Sequence, residues 1–137
     1  MIPIFDDISR TRLTKWVFGW LFLVVLYQWW ADLMISQLEA PVLLRLDMDL
    51  TYWMVHATGI GELFQSSYGA SLTFDLLLTV LCLITALFPK RIIFPIITGI
   101  IYLIYCVLLN SYQCWHYHNL ITLILLIVPF CFRSLKT

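Results

Sequence analysis

Charge is what this sequence has least of. Lys, Arg, Asp and Glu make up 12% of its 137 residues, eight of each sign, where soluble domains carry roughly a quarter. A chain that is 62% hydrophobic has more apolar surface than one small water-soluble core can hide. Most of that surface must face lipid or another apolar partner. With a net charge of zero, the chain lacks the basic footprint that nucleic acid requires. Its four cysteines, Cys82, Cys106, Cys114 and Cys131, form no CxxC pair and no zinc-finger spacing. Three of them sit in apolar runs and read as small packing groups, while Cys114 lies in a polar turn. There is no Ser-His-Asp spacing, no HExxH and no Gly-rich phosphate loop. A cleaved signal peptide is not expected either. The opening "MIPIFDDISRTRLTK" is mixed and charged, and no small-residue cleavage site follows the apolar run behind it.

What the sequence does have is long apolar runs, at 16–36, 69–88, 92–110 and 117–132. A hydrocarbon core about 30 Å thick is crossed by roughly 20 helical residues. The first two runs meet that length. The last two borrow interfacial residues or tilt little. The expected fold is an all-α integral membrane protein, with four transmembrane helices in an antiparallel bundle. "FPKR" at 88–91 predicts a tight hairpin. Pro95 falls in a first helical turn, where a missing N–H is tolerated. Pro129 is expected to kink or end the last helix. The outer loop, 37–68, is too apolar for a solvated linker and long enough to carry structure. A short amphipathic or re-entrant helix is expected between Pro41 and His56, lying over the bundle and broken by Gly59 and Gly61. Gly99, Thr98 and Ser71 are small enough for close helix packing.

The basic residues orient the bundle. Arg10, Arg12 and Lys15 precede the first run, Lys90 and Arg91 occupy the hairpin, and Arg133 and Lys136 follow the last run. With four spans these places share one side, and only Arg45 lies opposite. The positive-inside rule then makes both termini cytoplasmic, and in a bacterium the membrane is the inner one. The opposite, periplasmic rim collects Asp32, Glu39, Asp47, Asp49, Glu62, Asp75 and the three histidines.

The chemistry, if any, belongs to that rim. "NSYQCWHYHN", 110–119, holds His116 and His118. Two residues apart, they share a face on an extended segment but not on a helix. The histidines, with His56 or with Asp47 or Asp49, are the metal candidates. The preferred alternative is an aromatic belt in which Trp115, Tyr112 and Tyr117 anchor the helix at the headgroups. Asp75 is ionisable inside an apolar run, a costly placement that often marks function. Arg45 either holds an anion bidentately or pairs with Asp47 or Asp75, and the structural pair is preferred. Trp30, Trp53 and Trp115 are candidates to line a quinone or lipid pocket, although belt positions suit them better. No cofactor is firmly implied.

"TALFPKR", "YLIYCVLLNSY" and "WHYHNLITLILLIVPF" together resemble the HTTM domain, the membrane part shared by vitamin K-dependent γ-carboxylase and its bacterial relatives. The general plan is also similar to DoxX-like four-helix proteins. The carboxylase relatives carry further helices and a large lumenal domain, which this sequence does not show. That family uses a lysine base on the vitamin, and the outer side here carries no lysine. The resemblance therefore implies a reduced, non-catalytic relative.

Two functions fit these observations. One is a binding, assembly or accessory subunit that contacts lipid and another membrane or periplasmic protein through its outer rim and loop. The polar groups crowd that rim, whereas a transporter shows broken helices or midplane charge. The other is a redox or acid–base enzyme acting on a quinone-like or lipid substrate. His116 or His118 would transfer protons, with Arg45 and Asp75 in support. The topology is tested by reporter fusions at both ends. Each should be active only as a cytoplasmic reporter, and ends on opposite sides would remove the even-span layout.

Overall fold

The computed structural model describes residues 7–38 and 50–113. The expected fourth span, 117–132, lies outside them. The regular structure among the described residues is all helical, with no strand: α1 (Asp7–Trp30), a single 3-10 turn (Ile35–Gln37), α2 (Leu50–Thr58), α3 (Ile60–Ser66), α4 (Tyr68–Leu87) and α5 (Ile93–Gln113). Three segments are long and apolar enough to cross a membrane: Ile8–Gln37, Tyr68–Leu87 and Ile93–Ser111. α4 runs antiparallel to α1 and α5, so two ends of a bundle are defined. Arg10, Arg12 and Lys90 line one cavity and mark the basic end. The segment after α1, with α2 and α3, marks the loop end.

The packing follows from narrow buried stripes. On α1 the buried positions are Thr14, Phe18, Leu21, Val25 and Gln28, and on α4 Ser71, Asp75, Leu78, Cys82 and Thr85. Both sets step by four and three residues, so each helix offers one seam. The other faces, with Trp16, Trp20, Leu23, Leu76 and Val80, stay exposed, as lipid-facing side chains do. α4 is the shared neighbour, packing against α1, the 3-10 turn, α3 and α5, while α5 has half of its spanning window buried against a third for α1 and α4. Thr85 and Thr98 fasten α4 to α5. Their hydroxyls hydrogen-bond to each other at 2.7 Å, and the Leu81 carbonyl lies within reach of both, at 2.8 Å from Thr85 and 3.3 Å from Thr98. Hydroxyl and carbonyl partners of this kind hold helices together where water cannot compete. Ser71, Thr98 and Gly99 are buried inside the bundle, so these small residues serve contacts within the chain.

The hairpin at 88–91 forms as expected. Phe88 N–H closes α4 on Ile84 and Arg91 N–H bonds the Phe88 carbonyl. Pro95 is the third residue of α5. Of the outer loop, residues 39–49 lie outside the described residues, and the described part differs from expectation in two respects. Its helical part is two short helices, and α2 lies beside α5 rather than over the bundle. Val55 and Thr58 face Leu103, Val107 and Leu108 across a small apolar cleft. Only Gly59 breaks the helix, with φ 67°, a left-handed conformation that glycine adopts without a Cβ penalty. Gly61 lies buried within α3.

A Cβ at Gly59 would meet nothing within 4 Å, so the cost of a side chain there is conformational. Gly59→Ala should lower stability in detergent by about 1–2 kcal/mol. Gly59→Asn should cost less, because Asn tolerates this region. Thermal unfolding checks the order, and equal melting points for the two variants would contradict it.

Candidate functional site

The first span is expected as one helix to residue 36, but it is helical only to Trp30. The indole N–H of Trp29 donates to Thr79 Oγ1 at 2.8 Å. At 1.5 Å per residue, Thr79 lies about 16 Å from the start of α4. α1 therefore stops near the middle of its neighbour. Residues 31–38 continue as a strap along the loop-end half of α4. Asp32 makes the break, with φ 55°. Aspartate is among the few residues that visit this region. Leu33 N–H then bonds back to the Gln28 carbonyl at 2.9 Å, closing the helix in the manner of a left-handed C-cap.

Non-helical backbone within the hydrocarbon region must find its partners in the protein. Three side chains supply them. The Gln37 amide donates to the Trp29 carbonyl at 3.0 Å and to Asp32 Oδ1 at 3.1 Å, and its oxygen accepts from Met34 N–H at 3.3 Å. Tyr105 OH on α5 donates to the Leu33 carbonyl at 3.1 Å. Asp75 Oδ2 on α4 accepts from Ser36 N–H at 2.7 Å. Asp75 is 0% exposed and lies about 10 Å from the start of α4. Thr79, one turn on, bonds the Asp75 carbonyl at 2.8 Å. This corrects two expectations. The polar groups do not crowd the rim alone, and Asp75 reaches a backbone amide rather than the outer interface.

Four buried oxygens make no well-formed hydrogen bond among the described residues, Gln28 Oε1, Ser36 Oγ, Asp75 Oδ1 and Tyr102 OH, although the Ser36 hydroxyl adjoins the Asp75 carboxyl and Cys106 adjoins the Tyr102 hydroxyl. Buried polar atoms are nearly always paired, so each calls for an explanation. Ser36 supplies the amide that holds Asp75 Oδ2, so its hydroxyl and Asp75 Oδ1 belong to the same small region. Tyr102 stacks on Tyr105, with ring centroids 5.8 Å apart. The break thus gathers buried polar side chains from α1, the strap, α4 and α5. Chemically, it can fix one carboxyl and offer one of its oxygens to a proton or a small polar group.

The other candidates are dispersed. Trp30 is 79% exposed beside the Tyr27 ring, and Trp53 on α2 is 53% exposed, as interfacial aromatics are. His56 is exposed on α2. Among the described residues no group of three or more His, Cys, Asp or Glu gathers as metal ligands would. His116, His118, Trp115, Arg45, Asp47 and Asp49 lie outside the described residues. Sequence reasoning missed Ser36, Gln37 and Tyr105. The one local signal was Asp32 inside an apolar run, because no proline or glycine marks the break.

Compared with protein-family models, curated proteins and solved structures, the chain matches none.

Replacing Asp75 separates holding the strap from chemistry. Asp75→Ala leaves the Ser36 amide buried and unpaired, and should cost about 1–3 kcal/mol of stability in detergent. Asp75→Asn keeps an acceptor for that amide and should melt within a few degrees of the parent protein. An alanine variant as stable as the parent would show that the bond does not hold the strap.

Proposed function

We propose that this chain is a small polytopic membrane protein acting as a binding or assembly subunit, with its loop end as the contact surface and both termini cytoplasmic. One observation carries the reading. Asp75, the catalytic candidate within the described residues, has no exposed surface and bonds the Ser36 amide. Tyr105 and Gln37 are likewise engaged with the strap backbone. These polar side chains stabilise a shaped surface and are closed to a substrate arriving at the rim. The surface so held includes α2 and α3, where Trp53, Met54 and Leu63 are exposed beside Glu62 and Ser66. Apolar groups among polar ones suit a protein contact at the membrane–water boundary. The acid–base alternative rests on His116 and His118, which lie outside the described residues.

A second reading is favoured by the full burial of the Asp75 carboxyl beside the break in the first span. A broken span with a buried carboxyl also suits a site for a proton or a small polar solute near mid-membrane. The two readings separate on Asp75→Asn. It should leave an assembly function intact and abolish a function that depends on the ionisable carboxyl.

Photo-crosslinking side chains placed singly at Trp53, Leu63 and Leu87 in the native membrane test the first reading. Discrete protein adducts are expected at the first two positions and lipid adducts alone at Leu87. Lipid adducts at all three, or a protein that purifies with a visible chromophore, would overturn it.

A further inference from the structure

The basic end carries a separate feature, along the seam between α1 and the end of α4. An open cavity of about 620 Å³ is lined there by Ile8, Arg10, Thr11, Arg12 and Lys90. A second, of about 500 Å³, is lined by Lys15, Trp16, Gly19, Trp20, Ala86 and Leu87 among others. Both are lined by α1 and by residues at or just beyond the end of α4. Ile8, Arg12, Lys15, Gly19 and Leu23 follow along α1 at steps of three and four, so they share one face. Across the seam, Lys90 follows Leu87 just beyond the end of α4. The first cavity is cationic and the second is walled by apolar side chains, with Lys15 at the junction.

Gly19 shapes the second cavity. Glycine in a membrane helix commonly lets a neighbouring helix approach, and it weakens a helix relative to alanine. Here a Cβ at Gly19 would meet nothing within 4 Å. The missing side chain leaves an open furrow between Trp16 and Trp20, both exposed, with small Ala86 opposite. A cationic pocket above an apolar furrow, at the end of a membrane-spanning helix pair, matches an amphiphile with an anionic head. Arginine and lysine at such positions bind phosphate-bearing lipid headgroups.

We propose that this seam binds one anionic phospholipid. Arg10, Arg12 and Lys90 hold the phosphate, and one acyl chain lies over Gly19 between the two tryptophans. The test uses the full chain purified in mild detergent, with native mass spectrometry and thermal unfolding. Phosphatidylglycerol should remain bound at one per chain and raise the melting temperature. Phosphatidylcholine and inorganic phosphate at equal concentration should do neither. Arg12→Gln combined with Lys90→Gln should weaken phosphatidylglycerol binding at least tenfold, while Arg12→Lys with Lys90→Arg should retain it. Gly19→Leu keeps every cation but fills the furrow, and should also weaken binding. Equal retention of the two lipids by the parent protein would overturn the proposal, since that describes ordinary boundary lipid. So would stabilisation by phosphate alone, which describes a free-anion site, or undiminished binding by the Gly19→Leu protein.

Discussion

The structure depends on one constraint: a backbone that leaves the helical ladder inside hydrocarbon must be met by protein groups, because no water is there to meet it. α1 leaves the ladder at Trp30, with the apolar run still unfinished. The Asp75–Ser36 bond answers that constraint from α4, the Tyr105–Leu33 bond answers it from α5, and Gln37 answers it from within the strap. Each bond satisfies one freed backbone group, and together they tie three elements to the same point. An acid inside an apolar run is expensive. Here it is retained with an amide that would otherwise be equally costly.

This arrangement explains why α4 carries its polar residues on its buried stripe. Ser71, Asp75 and Thr85 lie on the seam face with Leu78 and Cys82. Ser71 bonds the Phe64 carbonyl at 2.9 Å, Asp75 bonds the strap, and Thr85 bonds α5. The polar seam fixes where each neighbour sits along α4. Dispersion and shape then complete the packing, since burial from lipid supplies little hydrophobic drive. The same geometry bears on function. A buried carboxyl bonded to a backbone amide differs chemically from one at the headgroups.

The two ends of the bundle differ in kind. Among the described residues every Lys and Arg lies at the basic end, around the start of α1 and the α4–α5 turn. The loop end is built from the strap and two short helices, with Asp32, His56 and Glu62 exposed. One end is therefore cationic, and the other mixes acidic, polar and apolar groups.

Much of this was legible from residue order alone. The apolar runs at 69–88 and 92–110 mark α4 and α5 to within a few residues, because hydrocarbon thickness sets helix length whatever the neighbours. The 88–91 hairpin and the place of Pro95 follow from local backbone rules, and so does the left-handed turn at Gly59. The break in the first span did not show itself. "WWADLM" reads as continuous helix, and the partners that make the break tolerable lie 39 and 72 residues away along the chain. Composition and periodicity thus determined that this is a helical membrane protein and where two of its spans lie, since those depend on local hydrophobicity. Tertiary structure alone decided that Asp75 points inward to a backbone amide, because that depends on which helices stand side by side.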